Sequence, residues 1–246
     1  MTDISKMVMQ SDAAEATSKC WSCGDMRAAH FCSACGKVQP PMPVDYFTFF
    51  GLPRKLTIDP AHLEREFYEL SRRLHPDVYA SGDGREQEWS LEQSSLLNDA
   101  YRMLKDPIKR TQYLLRLEGV ELEEQSKSAT EKARASGEQK KQVVPPDLLE
   151  EVFELNLQLE ELRTQKAAGE DDPALLEEIG QQKFDLEEKN EALLDELKSN
   201  WSKWDKLVDQ GSEDDRRKIR DRMVDLLNRR NYIRNLVRDV NEVLEH

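Results

Sequence analysis

Three observations in this 246-residue chain predict an all-α fold. Hydrophobic residues make up only 38% of it and charged residues 35%, which favours several small helical units over one large core. Gly and Pro number ten each, and Leu, Glu, Lys and Arg dominate the second half, a helix-forming composition. Apolar residues recur at spacings of three and four behind Asp59-Pro60, Asp106-Pro107 and Asp172-Pro173, where an acidic N-cap precedes a proline at the first helical position.

Taken in order, residues 1–19 read as a flexible tail and 20–43 as a compact cysteine-bearing head that ends in the stiff spacer Pro40-Pro41-Met42-Pro43. Over 44–119 the spacing predicts a small helical bundle. Leu63, Phe67, Leu70 and Leu74 line one face of a helix over 60–74, and a Gly-bearing loop follows. Leu97, Tyr101 and Leu104 mark a second helix, which stops at Asp106-Pro107, and Tyr113, Leu114 and Leu117 a shorter third. Residues 120–146 carry no periodic apolar pattern and read as a linker or frayed helix. Three helices are expected over 147–246. Their seams run through Leu148, Val152, Leu155, Leu159 and Leu162; then Ile179, Leu186, Leu193, Leu197, Trp201, Trp204 and Val208; then Ile219, Met223, Leu226, Ile233, Val237, Val240 and Leu244 behind a Ser212-x-x-Asp215 cap. The first of them has a surplus apolar stripe, Leu149, Phe153 and Leu157, which suggests a binding face; packing on the preceding unit or on the other helices is the alternative.

Acids and bases balance through residue 44 and nearly so through residue 117, so almost all of the net charge of −13 falls in 118–246. An acidic surface of this kind argues against non-specific binding to nucleic acid or to an anionic membrane. No apolar run approaches the roughly 18 residues that cross a bilayer. Residues 1–19 carry Asp3, Asp12 and Glu15 without an arginine, unlike a signal peptide or a mitochondrial presequence, so a cytoplasmic, bacterial protein is expected.

Two sites carry chemistry. Cys20-x-x-Cys23 and Cys32-x-x-Cys35 can each form a knuckle, and together they offer four thiolates to one structural Zn²⁺ ion, leaving no open coordination position for catalysis. Gly24 and Gly36 follow the second cysteine of each pair, where a knuckle turn calls for a positive φ. His30 is read as a bystander, since four cysteines suffice. The tripeptide His75-Pro76-Asp77 stands immediately after helix 60–74, where Pro76 ends the helix and leaves an exposed turn behind Arg72 and Arg73.

The stretch Asp45-Tyr46-Phe47-x-x-Phe50-Gly51-Leu52, the helix ending in Leu74-His75-Pro76-Asp77, and Leu97-Asn98-Asp99-Ala100-Tyr101-x-x-Leu104 resemble the HscB-type J-domain co-chaperones of iron–sulfur cluster biogenesis. Tyr113-Leu114-Leu115 and Gly119 are further marks of that branch, and the tetracysteine head with Trp21 resembles the form found in its eukaryotic members. The resemblance implies a chain that is not itself an enzyme. It would bring an IscU-type iron–sulfur scaffold protein to a DnaK/HscA-type heat-shock chaperone and stimulate that chaperone's ATPase. His75, Pro76 and Asp77, with Arg65, Arg72 and Arg73, would contact the chaperone, although this basic face is sparser than the family's. The scaffold would be held by the first helix of the C-terminal bundle and an aromatic on the last, which by position are Leu149, Phe153, Glu154 and Tyr232; Glu150 and Leu157 differ in type from the family pattern.

Two other readings compete: a J-protein serving a different client, and a zinc-knuckle adaptor for nucleic acid or protein. The head is charge-neutral and has no Lys/Arg stripe interleaved with aromatics, which weighs against nucleic acid. The sequence contains no nucleophile–base constellation and no phosphate-cradling Gly loop.

Overall fold

The computed structural model describes residues 19–25, 30–120, 145–169 and 172–245; the expected tail through residue 18 and most of the expected linker, 121–144, lie outside them. The chain divides into two compact units, Met1–Val120 and Glu121–His246. Among the described residues the secondary structure is helical, apart from isolated bridge residues around the cysteines, where Phe31 pairs antiparallel with Val38.

In the first unit a single turn, α1 (Tyr46–Phe49), is followed by α2 (Pro60–Leu74), a 3₁₀ turn over Pro76–Tyr79, α3 (Gly84–Lys105) and α4 (Pro107–Leu117). Both expected Asp-Pro starts form: Asp59 accepts from the Ala61 amide, and Asp106 from the amides of Ile108 and Lys109. Each satisfies N–H groups that the first helical turn leaves without a partner. The start of α3 is a capping box, with the Asp83 side chain accepting from the Arg85 amide while Glu86 reaches back to the Asp83 amide. The core of the unit joins Phe47, Leu56, Leu63, Leu74, Leu97, Ala100, Leu104, Leu114 and Leu115. Phe67 and Tyr101, which continue the two seams, stack face to face at 4.1 Å and close the outer edge of the α2–α3 pair.

Asp45 anchors the short α1. Its carboxylate accepts the amides of Phe47 and Thr48 and the Thr48 hydroxyl, and pairs with Arg54 at 2.8 Å. Beside it the Tyr46 amide donates to the Tyr113 hydroxyl, and the two rings stack at 4.7 Å, tying α1 to α4.

The second unit is a helical bundle of α5 (Leu149–Ala168), α6 (Pro173–Gln210) and α7 (Glu213–Glu245). The seam of α5 is as expected: Leu148, Val152, Leu155, Leu159 and Leu162 are all buried, against Leu175, Ile179 and Leu186 of α6 and Tyr232, Ile233, Leu236, Val240 and Val243 of α7. The α6–α7 pair is much longer than α5. Its other halves carry Leu197, Trp201 and Trp204, and Met223, Leu226 and Leu227, buried outside the cluster that α5 shares. Ion pairs cross the helices, with Glu196 to Arg222 at 2.7 Å between α6 and α7, and Lys189 of α6 to Glu151 of α5.

Replacing the cap at the front of the first unit tests its weight. Asp45→Ala is expected to cost about 1–2 kcal/mol at neutral pH, read as a lower urea midpoint with unchanged slope. Burial pushes the Asp45 carboxyl up, but Arg54 and the Thr48 amide and hydroxyl outweigh it and hold the pKa below the usual range. A lowered folded pKa stabilises above the unfolded value and is lost as the pH falls through the folded one, so the gap between wild type and variant closes in acid. An equal gap at pH 7 and in strong acid would refute this.

Candidate functional site

The four cysteines meet at one point. Their sulfurs all lie within 4.8 Å of one another, with Cys20 to Cys35 at 3.7 Å and Cys23 to Cys32 at 3.6 Å. Tetrahedral zinc with Zn–S bonds of about 2.3 Å holds its sulfurs about 3.8 Å apart, so the set fits a metal of that kind. The two knuckles have the same build: the Gly24 amide donates to the Cys20 carbonyl and the Gly36 amide to that of Cys32, with Gly24 and Gly36 at φ 77° and 72°. A Cβ at either glycine would strain the turn that aims the sulfurs inward. Cys20 and Cys32 are buried, and Cys23 and Cys35 exposed.

Burial disfavours charge on Cys20, yet the backbone at Cys23 and Ser22, the Gln39 amide and Cys35 together bring its thiol down to about 6. At Cys23 the backbone at Asp25 lowers the pKa, but burial and the neighbouring sulfurs of Cys32, Cys35 and Cys20 override it and push the thiol up to about 12. A Cys23 thiol raised this far keeps its proton at neutral pH, and a divalent cation would displace it.

The head lies against the α2–α3 hairpin through a junction of buried polar residues that the sequence did not disclose. Gln93 donates to the Gln39 carbonyl at 2.6 Å, and its side-chain oxygen is 2.7 Å from His30 Nδ1. The other ring nitrogen of His30 is 2.9 Å from the Phe49 carbonyl, so His30 serves this junction and not the sulfurs. The buried carboxylate of Glu86 pairs with Lys37 at 2.9 Å, Trp21 meets Trp89 edge to face at 5.6 Å, and the Arg85 guanidinium lies 4.8 Å over the Trp21 ring. One signal pointed to this: the three-and-four spacing of α3 runs back from Leu97 through Gln93, Ser90 and Glu86, which makes polar residues part of the seam.

The His75-Pro76-Asp77 turn projects from the hairpin. Asp77 is 90% exposed and His75 more than half so. His75 Nδ1 lies 3.3 Å from the Asp77 amide and 3.5 Å from the Asp77 carboxylate. Two serines of α3, Ser90 and Ser94, donate to the Leu74 carbonyl at 2.8 and 2.7 Å, pinning the last residue before the turn. Arg65 and Arg72 are exposed along α2, Arg72 with its Nε on the Tyr68 carbonyl. Arg73 differs: its guanidinium lies 3.8 Å over the Phe31 ring of the head, and its carbonyl accepts the Tyr79 hydroxyl.

In the bundle, Leu149, Phe153 and Leu157 are 54%, 66% and 57% exposed and run along the outer side of α5, with Glu154 exposed beside them. Within the second unit they stand outside the buried cluster that α5 shares with α6 and α7. The expectation that Tyr232 joins them is corrected: it is 6% exposed, within the core that α5 shares with α6 and α7, where burial pushes its hydroxyl pKa up. An exposed Phe184 on α6 borders an open groove of about 700 Å³ that also touches Arg234, Val237 and Arg238 of α7.

A helical hairpin with an exposed His-Pro-Asp turn, preceded by a tetracysteine head and followed by a helical bundle, is the arrangement that the resemblance to HscB-type J-domain co-chaperones implies. The comparisons agree. The chain is 33% identical over 142 residues to the iron–sulfur cluster co-chaperone protein HscB homolog of Arabidopsis thaliana, covering 57% of this chain and 50% of the relative. It is 38% identical over 112 residues to the HscB co-chaperone of Mus musculus (43% of this chain, 48% of the relative) and 35% over 114 residues to that of Homo sapiens (44% and 48%). The chain therefore spans about half the length of the curated relatives it matches. No protein-family model matches it. Its fold resembles the crystal structure of human HscB, with TM-score 0.61 and 24% identity over 92% of this chain and 98% of that one. It also resembles HscB from Vibrio cholerae, with TM-score 0.52 and 23% identity over 82% and 98%. Those three relatives come from a plant and two mammals, which lends no support to the expected bacterial source. Among the described residues no helix is long and apolar enough to cross a membrane.

Adding cobalt(II) to the metal-free chain is expected to saturate at one ion per chain, with thiolate-to-metal absorption and release of protons. Affinity should fall as the pH is lowered, because protons compete for the same sulfurs. Saturation with no proton released would contradict a thiolate site.

Proposed function

We propose that this chain is an adaptor that presents an iron–sulfur scaffold protein of the IscU type to an ATP-driven chaperone of the DnaK/HscA type and stimulates that chaperone's ATPase, with the chain itself performing no catalysis. The observation that carries this reading is the turn His75-Pro76-Asp77, held at its root by Ser90 and Ser94 and exposed at its tip. The exposed imidazole of His75 and the exposed carboxylate of Asp77 are both within reach of a partner. Arg65 and Arg72 on the same helix supply positive charge for an acidic partner surface. Arg73 contributes less directly, since its guanidinium is stacked on Phe31.

The client is held elsewhere, on Leu149, Phe153 and Leu157 of α5, with Glu154 at the rim. Three large exposed apolar side chains in a row, on the side of the helix away from its buried seam, form the kind of anchor that helix-face recognition uses. Tyr232, being core, takes no part by contact. The metal in the head is zinc, in a structural role: four thiolates close the coordination sphere.

His75→Gln is expected to abolish stimulation of the chaperone's ATPase while the circular-dichroism spectrum and unfolding midpoint stay as in the wild type; full stimulation by the variant would remove the J-domain reading. Phe153→Ala should weaken scaffold binding about tenfold or more, as loss of an aromatic anchor does. Its stimulation of the chaperone without scaffold should be unchanged. Equal scaffold affinity would leave the stripe without this client.

A further inference from the structure

We propose that the metal-loaded head is a brace for the His75-Pro76-Asp77 turn, holding it in the geometry in which it engages a partner; the role in chaperone stimulation rests on the function proposed above, the bracing itself does not. The turn hangs between two points, the end of α2 at Leu74 and the cap of α3 at Asp83. The head grips both. On the α2 side the Phe31 ring lies under the Arg73 guanidinium, two residues before His75. On the α3 side Lys37 pairs with Glu86, the same carboxylate that accepts the Asp83 amide and so closes the loop onto the helix. Trp21 adds a third hold, between Trp89 and Arg85.

Each gripping side chain lies next to, or two residues from, a cysteine: Trp21 after Cys20, Phe31 before Cys32, Lys37 after Cys35. The Trp21 indole donates to the Val38 carbonyl at 2.7 Å and Gln39 donates to Cys20 Sγ at 3.3 Å, so the contacts and the sulfur cluster form one network. A head this small buries little of its own apolar surface, with Phe31 and Val38 as its buried large apolar side chains among the described residues, and needs its metal to hold its shape. Without the metal, Phe31 and Lys37 lose their fixed positions, and Glu86 is left as a buried carboxylate without its cation. The turn then samples other conformations. A partner that binds one of them pays for the selection with a weaker apparent affinity, while the rate at saturation is unchanged.

The test follows amide exchange residue by residue by NMR on the full chain, in the zinc-loaded wild type, the Cys20→Ser/Cys23→Ser variant and Lys37→Met, with zinc content measured for each. The Val78 amide, bonded to the His75 carbonyl, and the Gly82 amide, bonded to that of Tyr79, report on the turn. Their exchange is expected to quicken at least about fivefold in the metal-free variant and measurably in zinc-retaining Lys37→Met, with the α4 amides unchanged. Half-maximal chaperone stimulation should need several-fold more of either variant, with the same maximal rate. Unchanged exchange at Val78 and Gly82 would overturn the brace, and so would loss of protection across the whole of 45–120, which would make the head a part of the core. Quickened exchange in a protein whose wild type stimulates no chaperone would leave the brace standing and remove the proposed function.

Discussion

The Leu74 carbonyl is the point on which the first unit turns. Pro76 brings α2 to an end, and a helix that stops inside a protein leaves carbonyls in need of donors. Ser90 and Ser94 of α3 both donate to this one. That pair of hydrogen bonds fixes the end of one helix against the middle of the next, so the residues that follow must leave the surface at a set place and angle. His75 and Asp77 can then face water without the cost of holding themselves there. The exposed tip depends on a buried root.

The second unit applies a different economy. Its α6–α7 pair is long, α5 covers part of it, and one seam of α5 suffices for the shared core. The opposite side of α5 is not needed for that shared core, and there the chain carries Leu149, Phe153 and Leu157. Strong negative charge on the surrounding surface keeps such a stripe soluble and discourages contact with acidic partners.

Local rules made much of this legible. Asp59-Pro60 and Pro76 bound α2 at the residues where it begins and ends, because proline constrains the backbone regardless of the tertiary setting. The knuckle glycines and the surplus stripe on α5 could be read for similar reasons: one is a matter of φ, the other of simple spacing. What escaped depends on distant partners. Glu86, Ser90 and Gln93 look like a solvated helix face until Lys37, the Leu74 carbonyl and Gln39 are brought against them. Tyr232 escaped because α7 packs on two helices at once. Its buried arc is wider than a single seam and takes in both Tyr232 and Ile233, so a position carried over by resemblance landed in the core.

Arg72 and Arg73 occupy the last turn of α2, where the aligned peptide dipoles concentrate partial negative charge. Their cationic groups thus serve the helix before any partner arrives. Neutralising either one removes an electrostatic cap, at a cost of about 0.3–1 kcal/mol, as well as a contact. Under the proposed function, charge at this helix end would be shared between folding and recognition, and a substitution that weakened contact with an acidic surface would also loosen the end of α2.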